Sequence, residues 1–167
     1  MKSTTQNILI VSLSMGILVV MILIVYLIKA IMYKSILINP TKEKYRITSP
    51  FGRRTSPTSG ASTNHNGIDI ATPMRTPILA PADGTIGYVV RNEAGGLQVA
   101  IDIKNLDIRV GFAHLDESLV RNGQVVHKGD IIAYTGNSGR STGPHLHLTV
   151  KNSFGMQNPT KYFDYKA

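Results

Sequence analysis

The chain has no cysteine and no tryptophan, and sets only 10 acidic residues against 18 lysines and arginines in 167 positions. Without thiols there is no disulfide framework, and a structural zinc closed by thiolates is excluded. The acidic deficit leaves a net charge of +8, and taking away Lys2 and Lys29 leaves 16 basic and 10 acidic residues, or +6, from residue 30 onward. A basic domain is drawn to anionic surfaces such as wall polymers, lipid headgroups or nucleic acid. No helix-turn-helix, zinc finger or aromatic and basic platform is present, so no nucleic acid partner is expected. Strong internal repeats and low-complexity tracts are lacking too.

Charge is also missing from one long stretch. Nothing between Lys2 and Lys29 is ionisable to a charge at neutral pH, and 7–28 is rich in Ile, Leu, Val and Met. Twenty-two residues at 1.5 Å each make a helix of about 33 Å, enough to cross the hydrocarbon core of a bilayer. A cleaved signal peptide is the rival reading, but its apolar region is shorter and Ile28-Lys29-Ala30 makes a poor cleavage site. The expected division is a tail over 1–6, a transmembrane anchor over 7–31, a tether over 32–44, a folded domain over 45–160 and a C-terminal tail over 161–167. Lysines and Arg46 after the anchor would put the domain in the cytoplasm by a simple positive-inside count, a rule that weakens for long translocated domains.

Beyond the tether, Gly, Pro, Asn and Asp cut the chain into short alternating apolar runs: 78–80, 85–90, 97–103, 108–112, 131–134 and 146–150. That pattern predicts an all-β domain. No amphipathic helix of convincing length follows the anchor, although Leu115-Asp116-Glu117-Ser118-Leu119 reads as a helical turn.

Four of the five histidines fall into a pattern with one aspartate. Ile68-Asp69-Ile70 alternates as a strand with Asp69 opposite the two isoleucines. His65 shares the face of Asp69 but lies about 13 Å away along extended chain, so the two meet on one ion only if the chain bends at Asn66-Gly67. His145 and His147 flank Leu146 and share one face of a second strand, about 6 to 7 Å apart. His114 stands alone between the motifs. His127 has the look of a solvated turn residue and is left outside the site. A hydrolytic zinc takes three ligands from His and Asp or Glu and keeps a fourth position for water, and these residues supply such a set.

At these residues the chain resembles the lysostaphin-like, or LytM-type, zinc endopeptidases of peptidase family M23, which cut the peptide part of bacterial peptidoglycan. The resemblance runs from about Tyr45 to Pro159 in ordered blocks: Ile47 to Arg54, His65 to Asp69, Ala80 to Ile86, Phe112-Ala113-His114-Leu115, and Gly136 to His147. It implies a compact two-sheet β-sandwich, Zn2+ as cofactor, His65, Asp69 and His147 as its ligands, and His114 and His145 as the catalytic pair not bound to metal. Family members usually carry tyrosine where this chain has Phe112 and glutamate where it has Thr149, and some have a tyrosine before the first ligand, absent here between Tyr45 and Tyr88. These departures touch the surroundings of the metal set and leave the set itself intact.

The reaction so implied is hydrolysis of peptide cross-links of peptidoglycan by a domain on the outer side of the bacterial cytoplasmic membrane, held by a single-pass anchor. Loops 60–64 and 136–143 are expected to wall the substrate groove, with Arg54 and Arg140 facing substrate carboxylates. The competing readings are a non-catalytic peptidoglycan-binding or amidase-activating module of the same fold, and a wall-remodelling component of a secretion, conjugation or phage apparatus. Retention of all five His and Asp residues favours an enzyme.

Overall fold

The computed structural model describes residues 2–55 and 62–166. A single long helix, α1 (Lys2–Ile36), precedes the domain. Within it Ser14–Ile36, at a mean hydropathy of 2.7, is long and apolar enough to cross a membrane, and the side chains of 14–29 are exposed. The described part of the domain is built from β1 (Ile47–Ser49), β2 (Gly52–Arg53), β3 (Asn64–His65), β4 (Ile68–Ile70), β5 (Pro77–Leu79), β6 (Gly84–Asn92), β7 (Gly96–Ile103), β8 (Ile108–Ser118), β9 (Val125–Val126), β10 (Ile131–Thr135), β11 (Leu146–Asn152) and β12 (Gly155–Gln157). After α1, the helical elements among the described residues are the 3-10 turns Lys104–Leu106 and Pro159–Lys161.

Ten strands share one hydrogen-bonded sheet in the order β1-β4-β11-β8-β7-β6-β9, with β10 joining β5 to β8 and β12 added to β11; β2 and β3 form a separate hairpin. The two layers of the sandwich are joined through β8. Its first half pairs with β7 and β11, and beyond His114 its last residues pair with β10, Leu115 opposite Thr135 and Ser118 opposite Ala133. The alternation read in the sequence becomes packing: on β11, Leu146, Leu148 and Val150 are fully buried while His147 and Thr149 occupy the other face. Each such aliphatic side chain stabilises the fold by roughly 1.5–3 kcal/mol on leaving water.

The expected helical turn at 115–119 is strand as far as Ser118. Pairing with β10 overrides the local pattern, and Arg75 holds the adjacent acidic pair, at 2.5 Å from Asp116 and 2.9 Å from Glu117. The remaining runs appear as strands β5, β6, β7, β8, β10 and β11.

Both ends of the domain are more firmly built than the tether and tail expected for them. The helix continues to Ile36, Leu37 enters the core, and Thr41 is buried. Backbone bonds tie Ile38 N–H to Pro81 and Leu79 N–H to Pro40. At the other end Tyr162, Phe163 and Tyr165 are core residues. The two ends meet: Tyr165 Oη bonds the Thr41 hydroxyl at 3.1 Å, Asn39 bonds the Asp164 backbone, and Tyr33 packs on Tyr162 with ring centroids 4.9 Å apart. Lys128 Nζ donates to the Ile36 carbonyl at 2.5 Å, satisfying an orphan acceptor at the helix C-terminus. The aromatic side chains of 162–165 are too apolar to remain in water, which is why the segment is not a loose tail.

Phe163→Ala is therefore expected to destabilise the protein by about 3–5 kcal/mol, the range for truncating a buried phenylalanine. Urea unfolding of the full chain in detergent micelles reads it. A change within experimental error would show that 161–166 is dispensable.

Candidate metal centre

The site is assembled where β4 lies against β11 in the register that sets His147 opposite Asp69. The bend expected at Asn66-Gly67 is present between β3 and β4, and it closes the extended span between His65 and Asp69 to 3.3 Å from Nε2 to Oδ1. Gly67 is required for it. A Cβ at this position would lie 2.3 Å from the Leu148 carbonyl oxygen, so any side chain would lever β4 off β11.

His65, Asp69 and His147 offer ligand atoms that all lie within 4.8 Å of one another. His147 Nδ1 is 2.8 Å from Asp69 Oδ1 and 3.1 Å from His65 Nε2. The tautomers follow from the outward-facing nitrogens. His65 Nδ1–H donates to the Pro50 carbonyl at 2.8 Å, leaving Nε2 to face the cluster, and His147 Nε2–H donates to Asn66 Oδ1 at 3.2 Å, leaving Nδ1 to do the same. With both rings neutral, two nitrogen lone pairs and a carboxylate oxygen converge without a proton between them. That donor set fits a divalent cation. Burial of Asp69 opposes its charge, but the close approach of the His147 and His65 rings outweighs burial and holds the carboxyl far below the usual range.

Arg54, expected to face a substrate carboxylate, bonds the Asp69 carboxylate. Its Nη1 lies 2.9 Å from Asp69 Oδ2 and 2.5 Å from Ser49 Oγ, so one carboxylate oxygen faces the histidines and the other an arginine. The reason is electrostatic: a largely buried carboxylate beside an arginine on the same wall captures it. Arg140 sits exposed on the rim, its backbone N–H bonded to Ala94.

The other two histidines face the cluster from the opposite side. Ring centroids of His114 and His145 are 4.6 Å apart, and His145 Nε2 is 3.9 Å from Asp69 Oδ1. Each is oriented through Nδ1, His114 by the Ser138 carbonyl and His145 by the Gly143 carbonyl, both at 2.8 Å. Burial lowers the His114 pKa, and the nearby His145 and His147 push the same way against the bond to Ser138. His114 has φ of 61°, a left-handed conformation that costs a non-glycine residue about 1–3 kcal/mol. Two bonds hold it there, the ring contact to Ser138 and His114 N–H to the Gly95 carbonyl at 2.8 Å. His127 is far more exposed and stands with Asp83, away from the cluster.

Loop 136–143 is a scaffold as well as a wall. Ser138 Oγ bonds Leu115 and receives Leu97 N–H, and Gly139 passes so close to Gly96 that a Cβ would lie 2.2 Å from its nitrogen. Of loop 60–64, residues 60 and 61 lie outside the described residues; Arg54 N–H bonds Thr63 at 2.9 Å. A groove of about 270 Å³ starts at His147 and runs over the sheet, lined by Asn66, Tyr88, Gln98, Arg109, Thr149 and Met156 among others. Thr149 donates its hydroxyl to the Gly111 carbonyl and leaves this part of the groove floor uncharged. Asn66, Ser138 and the carbonyls of Pro50 and Gly143 were not singled out as orienting groups from the sequence. Asn66 had a signal, its place beside a ligand; the carbonyls had none, because every residue has one.

Comparison with known proteins agrees with this geometry. The chain is 39% identical over 121 residues to an uncharacterized metalloprotease of Haemophilus influenzae and 40% identical over 113 residues to the peptidoglycan DD-endopeptidase ShyB of Vibrio cholerae, matches covering 72% and 66% of this chain and 26% of each relative. It thus spans about a quarter of the length of these relatives. Among solved structures, the catalytic domain of lysostaphin from Staphylococcus simulans superposes with a TM-score of 0.64 at 28% identity, over 71% of this chain and 91% of that one. A zinc-containing peptidase from Vibrio cholerae superposes with a TM-score of 0.66 at 33% identity, over 78% of this chain and 41% of that one. Residues 63–159, which hold His65, Asp69, His114, His145 and His147, match Peptidase family M23, and the chain belongs to that family.

Proposed function

We propose that the protein is a membrane-anchored zinc endopeptidase that hydrolyses peptide cross-links of peptidoglycan. The observation that carries this reading is the convergence of His65, Asp69 and His147 with two further histidines aimed at the same point from the other side. Relatives named as peptidoglycan DD-endopeptidases supply the substrate class.

His65, Asp69 and His147 would hold the zinc, which when bound lowers the pKa of a water and polarises the scissile carbonyl. The proton traffic belongs to His114 and His145. Both keep Nδ1–H on a carbonyl and so turn Nε2 to the cluster; one Nε2 would take the proton of the attacking water and pass it on to the departing amine, and the other would serve the oxyanion only with Nε2 protonated. Because burial lowers the His114 pKa, that ring stays neutral down to pH values below the ordinary imidazole value of about 6.5, and it is a base throughout the neutral range. Arg54 and Asn66 act on the ligands, one through Asp69 and one through His147. Arg140, exposed in loop 136–143, would meet a substrate carboxylate.

Anchoring follows from the uncharged part of Ser14–Ile36 that precedes Lys29, read as part of an uncleaved single-pass span of the cytoplasmic membrane with the domain on its outer side, where peptidoglycan lies. The helix passes without a break into packed contacts with the domain, an arrangement suited to an anchor.

The histidines separate by experiment. His147→Ala is expected to lose both zinc and hydrolysis of purified sacculi, because two protein ligands hold the metal poorly. His145→Ala and His114→Ala are expected to retain zinc while the rate falls about a hundredfold to ten-thousandfold. Metal analysis of each purified variant, beside release of peptide fragments followed by mass spectrometry, reads both quantities; a metal-free His145→Ala with a metal-loaded His147→Ala would invert the assignment. Asn66→Ala is expected to weaken zinc by about 10–100-fold, since it orients a ligand from outside the coordination sphere. Competition with a chromogenic chelator measures that loss, and unchanged affinity would remove Asn66 from the site.

A further inference from the structure

The end of the domain that receives α1 carries features unrelated to hydrolysis. Tyr33, four residues after Lys29, packs on Tyr162 and donates its hydroxyl to the Leu106 carbonyl at 3.4 Å. The next residue, Asp107, accepts from the Ser153 hydroxyl at 2.7 Å, and so brings the β11–β12 turn to the same end. At the tip of that turn stands Phe154, 91% exposed. Lys34, Lys104 and Lys161 are exposed around these contacts. Of the nearby carboxylates, Asp164 is paired with Lys44 and Asp102 with Arg109, while Asp107 accepts from the Ser153 hydroxyl and keeps its charge. A polar cleft of about 370 Å³ between Lys104, Lys151 and Asn152 opens beside the turn.

Distance removes any slack. With Lys29 at the edge of the hydrocarbon, four residues of helix lift Tyr33 only about 6 Å. The headgroup layer on each side of a bilayer is itself roughly 5–7 Å thick. A free tether over 32–44 would have reached about 40 Å, but those residues are used up in helix and in packing on the core.

We propose that this end of the domain, with Phe154 inserted and Lys34, Lys104 and Lys161 facing anionic phosphate headgroups, is seated on the lipid bilayer from which α1 emerges. The proposal rests on the reading of α1 as a membrane span. Aromatic side chains and lysines are the residues that settle at such an interface. The seating sets the reach of the active site. From Phe154 back to His147 is seven residues of β11 and its turn, about 23 Å, and from Ile108 to His114 is six residues of β8, about 20 Å. The two strands are antiparallel neighbours, with Lys151 opposite Arg109 at the lipid end and His147 opposite Ala113 at the metal end. The metal centre is thus held no more than about 20–23 Å from the seated end, and the protein works on peptide strands close to its own membrane.

The absence of cysteine makes the test direct, since any introduced cysteine is the sole thiol. Full-length Phe154→Cys and, near the other end of the sheet, Met74→Cys are labelled with an environment-sensitive fluorophore and reconstituted into vesicles containing phosphatidylglycerol. The label at 154 is expected to shift to the blue, to resist iodide severalfold better than that at 74, and to be quenched by headgroup-level lipid quenchers. Equal access of iodide to both positions in protein that remains with the vesicles through a carbonate wash overturns the seating and leaves the tip to a protein partner. Release of the protein by that wash overturns the span and the seating together. Neither outcome touches the peptidase reading, which is tested on sacculi.

Discussion

One pairing carries the candidate metal centre: β4 against β11, in the register that sets Asp69 opposite His147. Slippage by a single residue would turn Asp69 into the core and Ile68 or Ile70 towards the ion, because side chains alternate faces along a strand. The register is held by apolar burial on the opposite face, where Ile68, Ile70, Leu146 and Leu148 are all at or near zero exposure. It is held also by Gly67, which lets the chain pass within van der Waals reach of the Leu148 carbonyl. The ligand set is therefore a by-product of the hydrophobic core on its reverse side. Apolar side chains determine where polar ones meet.

The second half of the site depends on a bend. His114 is the point where β8 leaves its pairing with β11 and turns to β10, and its left-handed backbone is the local expression of that turn. Strain at such a residue persists only when several contacts over-determine it. Here the Gly95 and Ser138 carbonyls do so, and both come from loops that bond to one another at Ala94 and Arg140. The loop that orients His145 is the same loop that restrains His114, so the two histidines are positioned as a unit.

The molecule has two poles. At one, β4, β8 and β11 present the metal centre; at the other, α1, the Lys104–Leu106 turn, the β11–β12 turn and the C-terminal aromatics close against each other. Because β8 and β11 run between the poles, what fastens the chain at one end orients the chemistry at the other. Tyr33 on Tyr162 and Leu37 in the core make helix and domain a continuous packed body in place of a body on a string.

The apolar run of α1 and the all-β alternation were legible in the sequence, since composition and period are local properties that survive without knowledge of any partner, and the His and Asp residues that the structure brings together stood out there as a pattern. The bend at Asn66-Gly67 was legible too, because extended chain is too long to let His65 and Asp69 share an ion. Other features were settled by contacts distant in the chain. Arg54 reads as a substrate contact, and only the fold brings Asp69 beside it; 115–119 reads as a helical turn until β10 supplies hydrogen-bond partners as far as Ser118. The run 32–44 reads as a tether until Tyr162, Phe163 and Tyr165 return from the far end to cover it. The sequence by itself determined which groups are available for catalysis and which faces leave water; only the tertiary structure decided which of those groups touch, because a hydrogen bond or a packed ring needs a register and a close approach that residue identity does not contain.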